Sequence, residues 1–447
     1  MDVSGPDARE DAMPAQFQHC LVATFIATAL AFATPWAEAG DINLDKLFGC
    51  HGQSMQCAEC GEVATTCGEL YQSNPGCPVA FDGSFVQIFQ SVVNGGNRQR
   101  SSLGGSGRYG LTFDLGAMGV HDGMSLRMVT DHQMGDFVST DAGVILPPGL
   151  AALTPLPSTH DPIVTNLILT QVIDENWTVF AGKMDTLDGD RNPFASGRGR
   201  TGFMNTSLLL PVNGVPIVPF ATLGAGAIYS VDGNPAASLL VLNATDTTAE
   251  VGLSDLFRDG AIILGTLNLP FSCNDQLGFQ TLNYAYSTKT FTSLSQDPRV
   301  ILPNVPLAPT EGGWVAWWSG TQFIQQFDPK NNPMLGWGLF GRFGVSDDLV
   351  APITYWANFG LGGNSCINGR QNDRWGVGWF YSSFSDNLGP IVTAALNVGA
   401  QTTGVELFYN FAVTENFFVT PDIQVIKPGQ NNTDTAVVAG IRGEIRI

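Results

Sequence analysis

Regular two-residue alternation in the C-terminal stretch, residues 334–447, constrains the fold of this chain most strongly. Between Val405 and Val413 every second residue is apolar, and Glu406 and Asn410 fall on the opposite face. A period of two is the pattern of a β-strand with one apolar and one polar face. Strands of about ten residues with charges on one face are typical of a transmembrane β-barrel, whose apolar face meets lipid while its polar face lines water.

The residue types on the two faces favour a barrel over a soluble sheet. The apolar face is rich in aromatic residues such as Trp337 and Trp375, and glycine repeatedly takes the other face, as at Gly338 and Gly376. Glycine weakens a soluble strand, whereas inside a wide barrel it leaves the lumen open. A β-sandwich or jelly roll, which also alternates, is the alternative.

The N-terminus has the features of an export signal. Residues 20–33 form an apolar run too short to cross a bilayer as a helix. The small-residue site Ala37-Glu38-Ala39 follows, so we expect residues 1–39 to be a signal peptide cleaved before Gly40. The segment before the apolar run has little positive charge, and Met13 is an alternative start that would leave it short and neutral. No later stretch reaches about 18 uninterrupted apolar residues, which indicates that no helix crosses the membrane.

Charge and composition narrow the function. The formal net charge is −20, whereas nucleic-acid-binding proteins are commonly basic, so no nucleic-acid partner is expected. Only 13% of residues are charged and 52 of 447 are glycine, which suits an outer-membrane barrel. The negative sum also fits a pore for cations or neutral solutes better than an anion-specific pore.

Cysteines cluster near the N-terminus. Five lie in residues 50–77 (Cys50, Cys57, Cys60, Cys67 and Cys77), and Cys273 and Cys366 stand alone. In an oxidising periplasm this pattern predicts a small disulfide-clipped segment, which we place at residues 40–80. A zinc site is a weaker interpretation because the ligands lack the usual spacing. The odd number leaves one thiol of the cluster unexplained.

Residues 81–447 are predicted to form a single barrel. Strand-like segments alternate with polar loops, including a Pro-rich loop over 146–160 and a charged loop over 185–200. At roughly 20–24 residues per strand and loop, this length holds about fifteen to eighteen strands. We find no linker that would divide the segment into two domains.

The search for chemistry is mostly negative, because no metal-binding or catalytic motif is present. We therefore predict no cofactor, no metal and no catalysis. What remains is a set of polar residues facing the lumen. They could pair across strands and brace the wall, or bind sugar hydroxyls beside aromatic residues such as Trp317 and Trp318. The set comprises Arg342, Arg374, Glu406, Asp422, Gln424, Arg442, Glu444 and Arg446.

Several segments resemble the carbohydrate-selective porins of the OprB type. The resemblance implies a sixteen-stranded outer-membrane barrel through which glucose-like sugars diffuse passively, and it adds Lys183 and Asp373 to the candidate pore lining. Two departures stand out: a Cys-rich stretch replaces the family's usual N-terminal segment, and the chain ends in Ile447 rather than an aromatic residue. The matching segments are 180–185, 203–205, 336–344, 358–361, 369–378, 406–409 and 421–424.

These observations predict an all-β protein, a transmembrane antiparallel up-and-down β-barrel of about 16 strands with a short Cys-rich N-terminal segment. The expected function is passive diffusion of carbohydrates across the outer membrane. Expected partners are sugars, outer-membrane lipid and the barrel assembly machinery, with the protein acting as a monomer or a homotrimer. A general diffusion porin of the same fold is the nearest alternative. A secreted all-β glycan-binding or hydrolytic protein is a more distant one.

Overall fold

The computed structural model describes residues 78–447, except 156–160, 190–191, 302–303, 390–392 and 394–396. The predicted signal peptide (1–39) and all but the last three residues of the predicted Cys-rich segment (40–80) lie outside these described residues. Both therefore stay predictions. None of the described helices is long and apolar enough to cross a membrane.

Sixteen strands form a closed barrel in which each strand is antiparallel to its neighbours in the chain. Closure comes from β1 and β16, which pair through Phe85 and Ile445 and through Phe89 and Ile441. The predicted fold class is thus confirmed. The strands are β1 Val79–Gly96, β2 Ser101–Asp114, β3 Met124–Gly135, β4 Ile163–Val172, β5 Trp177–Asp185, β6 Ala221–Val231, β7 Asn234–Asn243, β8 Ala261–Cys273, β9 Gln276–Thr292, β10 Pro309–Asp328, β11 Asn332–Ser346, β12 Ile353–Asn364, β13 Arg374–Phe384, β14 Gln401–Ala412, β15 Phe417–Lys427 and β16 Asp434–Arg446.

Helices are short and lie in the connections between strands. Two are single α-helical turns, α1 (Ser139–Ala142) and α2 (Thr206–Leu209). Five are 3₁₀ turns, at Leu150–Ala152, Thr186–Gly189, Val212–Gly214, Leu253–Asp255 and Pro298–Ile301.

The connections differ between the two ends of the barrel. Those that follow even-numbered strands are mostly tight turns, as at 232–233 and 274–275. Those that follow odd-numbered strands include long segments, such as 136–162, 186–220 and 244–260. Because β1 begins and β16 ends beside the tight turns, the long segments gather at the opposite end.

Exposure confirms the two faces predicted for the wall. On β14, Val405, Leu407 and Phe411 are 41%, 51% and 40% exposed, whereas Glu406 and Asn410 are buried. Apolar side chains that point outward in this way are stable only against lipid or a partner, since a soluble barrel would bury them.

The buried core lies inside the barrel rather than in its wall. Two connections, 136–162 and 186–220, place apolar residues against the inner faces of β11–β16, which form one cluster with them. Phe203 lies at its centre, with its ring centroid 5.5 Å from that of Phe340 and 4.8 Å from that of Phe408. Burying a side chain of this size contributes about 1.5–3 kcal/mol, so apolar packing fixes these connections in the lumen.

Candidate functional site

Residues 186–220, the connection between β5 and β6, are called the inner loop here because they fill part of the lumen. The sequence predicts a loop only over 185–200, so the structure extends it by twenty residues, to Phe220. Polar side chains of the barrel wall bind its backbone at many points. The inner loop therefore decides how much of the barrel stays open.

Two buried arginines hold inner-loop carbonyls. Arg342 on β11 is 2% exposed, and its Nη1 donates to the carbonyl oxygens of Leu208 and Leu209, each at 3.2 Å. Arg442 on β16 is fully buried and donates to the carbonyl oxygens of Gly199 at 2.5 Å and Gly202 at 2.9 Å. Both guanidinium groups thus bind backbone, where the sequence suggested a solute or a lumenal carboxylate.

Glu406 on β14 binds the same loop with the opposite polarity. Its carboxylate accepts hydrogen bonds from the backbone N–H groups of Met204 at 2.5 Å and Asn205 at 2.8 Å. The Asn205 side chain in turn accepts from the N–H of Ser207 and begins α2. One carboxylate thus satisfies two donors at the point where the loop turns into a helix.

Gln424 and Asp422 on β15 connect the inner loop to the β3–β4 connection. Gln424 Oε1 accepts from Asn205 Nδ2 at 2.9 Å, and Gln424 Nε2 donates to the carbonyl oxygen of Pro148 at 2.7 Å. The same Nε2 donates to Asp422 Oδ1 at 2.9 Å. Gln424 is fully buried and Asp422 is 6% exposed, so neither reaches open lumen.

Glycines on the inner face make room for the loop. A Cβ at Gly376 would lie 2.7 Å from Cζ of Phe203, and one at Gly378 would lie 2.9 Å from Cδ2 of Leu208. Such distances are too short for any side chain. The sequence predicted that these glycines clear the lumen; in the structure, the space they leave is filled by the inner loop.

Lys183 and Asp373 lie away from the lumen's open part. Lys183 Nζ donates to the carbonyl oxygens of Thr248 and Glu250, in the connection after β7, at 2.9 Å each. Asp373 is buried in the turn between β12 and β13 and accepts from the Tyr409 hydroxyl at 2.9 Å. Neither residue lines the cavity described next, although both were expected in the pore lining.

The space left open is a cavity of about 1120 Å³ between the inner loop and the wall. Of the nine predicted pore-lining residues, the structure places Arg374 and Glu444 on it. The other seven face the inner loop or lie in turns, because the loop occupies the lumen on their side. Neutral polar residues line it on β8 and β9, namely Thr266, Asn268, Thr281 and Asn283.

Charged residues on the cavity wall are predominantly basic. Among the described residues, the lining holds the arginines Arg108, Arg127, Arg198, Arg200, Arg374 and Arg446, with the acidic side chains Asp82, Asp185 and Glu444. The total charge of −20 is therefore not the charge of the cavity. Many carboxylates lie instead in connections between strands, including Asp246, Asp255, Asp259, Asp347 and Asp386.

Sequence reasoning missed four of these arginines as site residues. Arg108 and Arg127 lie in strands recognised from their alternation, on the polar side, so their register was a usable signal. Arg198 and Arg200 lie in the inner loop, which has no periodicity. Their position in the cavity depends on how that loop folds.

The two tryptophans considered for sugar stacking separate. Trp317 lines the cavity, whereas Trp318 is 37% exposed and belongs to the outward face of β10. Adjacent residues of a strand point to opposite faces, so only one of the pair can meet a solute. Within the described part of the chain, no three His, Cys, Asp or Glu side chains are grouped to hold a metal ion.

Comparison with known proteins identifies the fold and the family. The model of the carbohydrate-selective porin, OprB family, matches residues 100–446. The high-pH structure of Pseudomonas putida OprB aligns with a TM-score of 0.70 at 20% identity, covering 83% of this chain and 94% of that one. Its low-pH structure aligns with a TM-score of 0.51 at 16% identity, covering 83% and 93%. No curated protein sequence matches the chain.

Proposed function

Because the chain belongs to the carbohydrate-selective porin family, and is thus a sugar-permeating channel of the outer membrane, we propose that glucose-like sugars cross through the cavity beside the inner loop. The passage is passive, and the protein acts as a channel rather than an enzyme. The short turns face the periplasm, as in other bacterial barrels, which places the long connections outside the cell.

The observation that carries the proposal is the mixture of groups around this cavity. Arginine guanidinium groups offer fixed donors, and the amide and hydroxyl groups of Asn268, Asn283 and Thr281 offer both donors and acceptors. The Trp317 ring supplies an apolar surface among them. Sugars present hydroxyl groups along an edge and C–H groups on a face, so this wall can replace the water that a sugar sheds on entering.

Of the residues predicted from sequence, Arg374 and Glu444 are the ones we propose to contact the solute. Arg374 already donates to the carbonyl oxygen of Pro193 at 2.5 Å, which fixes its guanidinium plane while other N–H groups face the cavity. Arg342, Glu406, Asp422, Gln424 and Arg442 support transport indirectly, by holding the inner loop.

Paired tryptophan variants test the route. Current through single channels is recorded while glucose is added, and its block gives an affinity. Trp317→Ala should weaken block by about 0.5–1.5 kcal/mol, the usual contribution of aromatic stacking. Trp318→Ala, changed one residue away on the outer face, should leave block unaltered. Absence of any saturable block by sugar in the wild type would indicate a general diffusion porin instead.

Further partners follow from the same proposal. An N-terminal signal peptide, residues 1–39, directs export, the barrel assembly machinery inserts the strands, and outer-membrane lipid covers the outward aromatic and aliphatic side chains. The barrel is closed by its own β1 and β16, so one chain suffices for a complete channel, either as a monomer or as one of three in a homotrimer.

A further inference from the structure

The arginines of the cavity differ in how their charge is compensated. Arg127 pairs with Asp82 at 2.9 Å, and Arg446 pairs with Glu444 at 3.2 Å. Arg108 donates to Asp131 at 2.8 Å. Each of these guanidinium groups has a carboxylate beside it, so each adds little net charge to the cavity.

Arg198 and Arg108 also share Asp185, Arg198 through a direct ion pair and Arg108 at 3.5 Å. Two arginines and two carboxylates, Asp131 and Asp185, therefore form a balanced group on the β2–β5 side of the cavity.

Arg200 and Arg374 have no such partner among the described residues. Arg200 donates to the Ser84 hydroxyl at 2.9 Å and the Ser106 hydroxyl at 3.2 Å, and its buried Nε has no hydrogen-bond partner. Arg374 donates to the carbonyl oxygen of Pro193. Hydroxyl and carbonyl groups orient a guanidinium but do not neutralise it, so two positive charges stay uncompensated on the cavity wall.

These two charges belong to one electrostatic group. Glu444 attracts Arg200, while Arg108 and Arg198 repel it. Arg446 in turn repels Arg374. Removal from water lowers the pKa of Arg200 to about 10, with attraction from Glu444 opposing this shift. Arg200 therefore stays protonated at neutral pH. The cavity carries a lasting positive excess.

A matching solute must bring the missing negative charge. Arginine binds a carboxylate through two parallel N–H···O bonds, and such bonds are about twice as strong as neutral ones. The acidic side chains in the connections do not cancel this attraction, because salt screens charges beyond about 8 Å under physiological conditions. A neutral hexose would leave both arginines uncompensated.

We propose that this cavity contains a subsite for the anionic group of an acidic saccharide, formed by Arg200 and Arg374 and best filled by a uronate carboxylate. This inference rests on the sugar channel proposed above and specifies which sugars it favours. It also gives the channel a preference for anions over cations, opposite to what the total charge of the chain suggests.

Planar-bilayer recordings test the subsite. In a KCl gradient the reversal potential should indicate anion preference, and glucuronate should block current at about tenfold lower concentration than glucose, the ratio expected for one charge-assisted bond. Arg200→Gln and Arg374→Gln should each remove most of this difference, while Arg200→Lys, which keeps the charge, should retain part of it. Arg258→Gln, in the exposed connection 244–260, is the matched control and should behave as wild type.

The pH dependence gives a second readout. Because Arg200 is charged below its pKa of about 10, the preference for glucuronate should be constant between about pH 6 and 8 and should fall as pH rises through 10. Migration of the folded form on an unheated gel checks that each variant is assembled.

Each contrary result has its own meaning. Cation preference in the wild type, or equal block by glucose and glucuronate, would overturn the acidic subsite while leaving the sugar channel intact. Inorganic phosphate that competes as well as glucuronate would reduce the site to a general anion site and overturn the saccharide assignment. Failure of both sugars to block or permeate would instead contradict the sugar channel itself.

Discussion

At the scale of single residues, a buried charge in this lumen serves the fold first. Arg342 looks like a solute ligand in the sequence, because it occupies the polar register between glycines. In the structure it satisfies two carbonyl groups of the inner loop, and the solute-facing charges come from elsewhere. A lumen-facing register therefore identifies the inner side of the wall but does not distinguish open space from space that a loop fills.

Arg342→Met tests this role. The substitution keeps the length of the side chain but leaves the carbonyl oxygens of Leu208 and Leu209 buried without a donor, which costs about 1–3 kcal/mol. We expect the folded form to unfold at a lower temperature on a heat-modifiability gel, with sugar block little changed. Arg258→Met, in an exposed connection, should unfold like the wild type. Weakened sugar block with unaltered heat stability would assign Arg342 to the solute instead.

At the scale of elements, the strands and the inner loop follow different rules. Strand register is set by the requirement that apolar side chains meet lipid, which acts on every second residue. The inner loop has no such repeat and is positioned by specific bonds, such as those of Glu406 to Met204 and Asn205. The strands are thus locally encoded, and the loop depends on partners far away in the chain.

Neighbouring positions on β9 test the strand rule. Leu282 is 45% exposed on the outer face, and Thr281 lines the cavity. Leu282→Arg places a charge against lipid and should impair assembly, at a cost of about 2–4 kcal/mol near the middle of the bilayer. Thr281→Arg should assemble normally and change conductance. Quantifying the folded barrel in outer membranes separates the two, and equal assembly of both variants would contradict the assigned register.

At the scale of the whole molecule, the barrel and the cysteines pose separate questions. Cys273 and Cys366 are exposed and free, in turns at the end of the barrel where the N-terminal segment enters. The five cysteines from Cys50 to Cys77 lie outside the described residues. Their prediction as disulfides depends on the oxidising compartment alone.

Thiol labelling of the exported, denatured protein without reductant tests that prediction. Two disulfides among the five clustered cysteines leave one over, so three thiols should react: Cys273, Cys366 and the remaining one. Mass spectrometry then locates the disulfides within residues 50–77. Seven reactive thiols, or stoichiometric zinc that survives dialysis, would contradict a disulfide-clipped segment.

The sequence alone determined the barrel, its approximate strand number and its family, because lipid imposes a local two-residue repeat that can be recognised without knowing any long-range contact. It also identified Arg374 and Glu444, which keep their lumen-facing register in open space. Only the tertiary structure decided that the inner loop folds onto β11–β16. That arrangement buries Arg342, Glu406 and Arg442 and leaves the cavity to arginines such as Arg200. The physical reason is distance along the chain: Glu406 meets Asn205 across 201 residues, and no local pattern encodes such a bond.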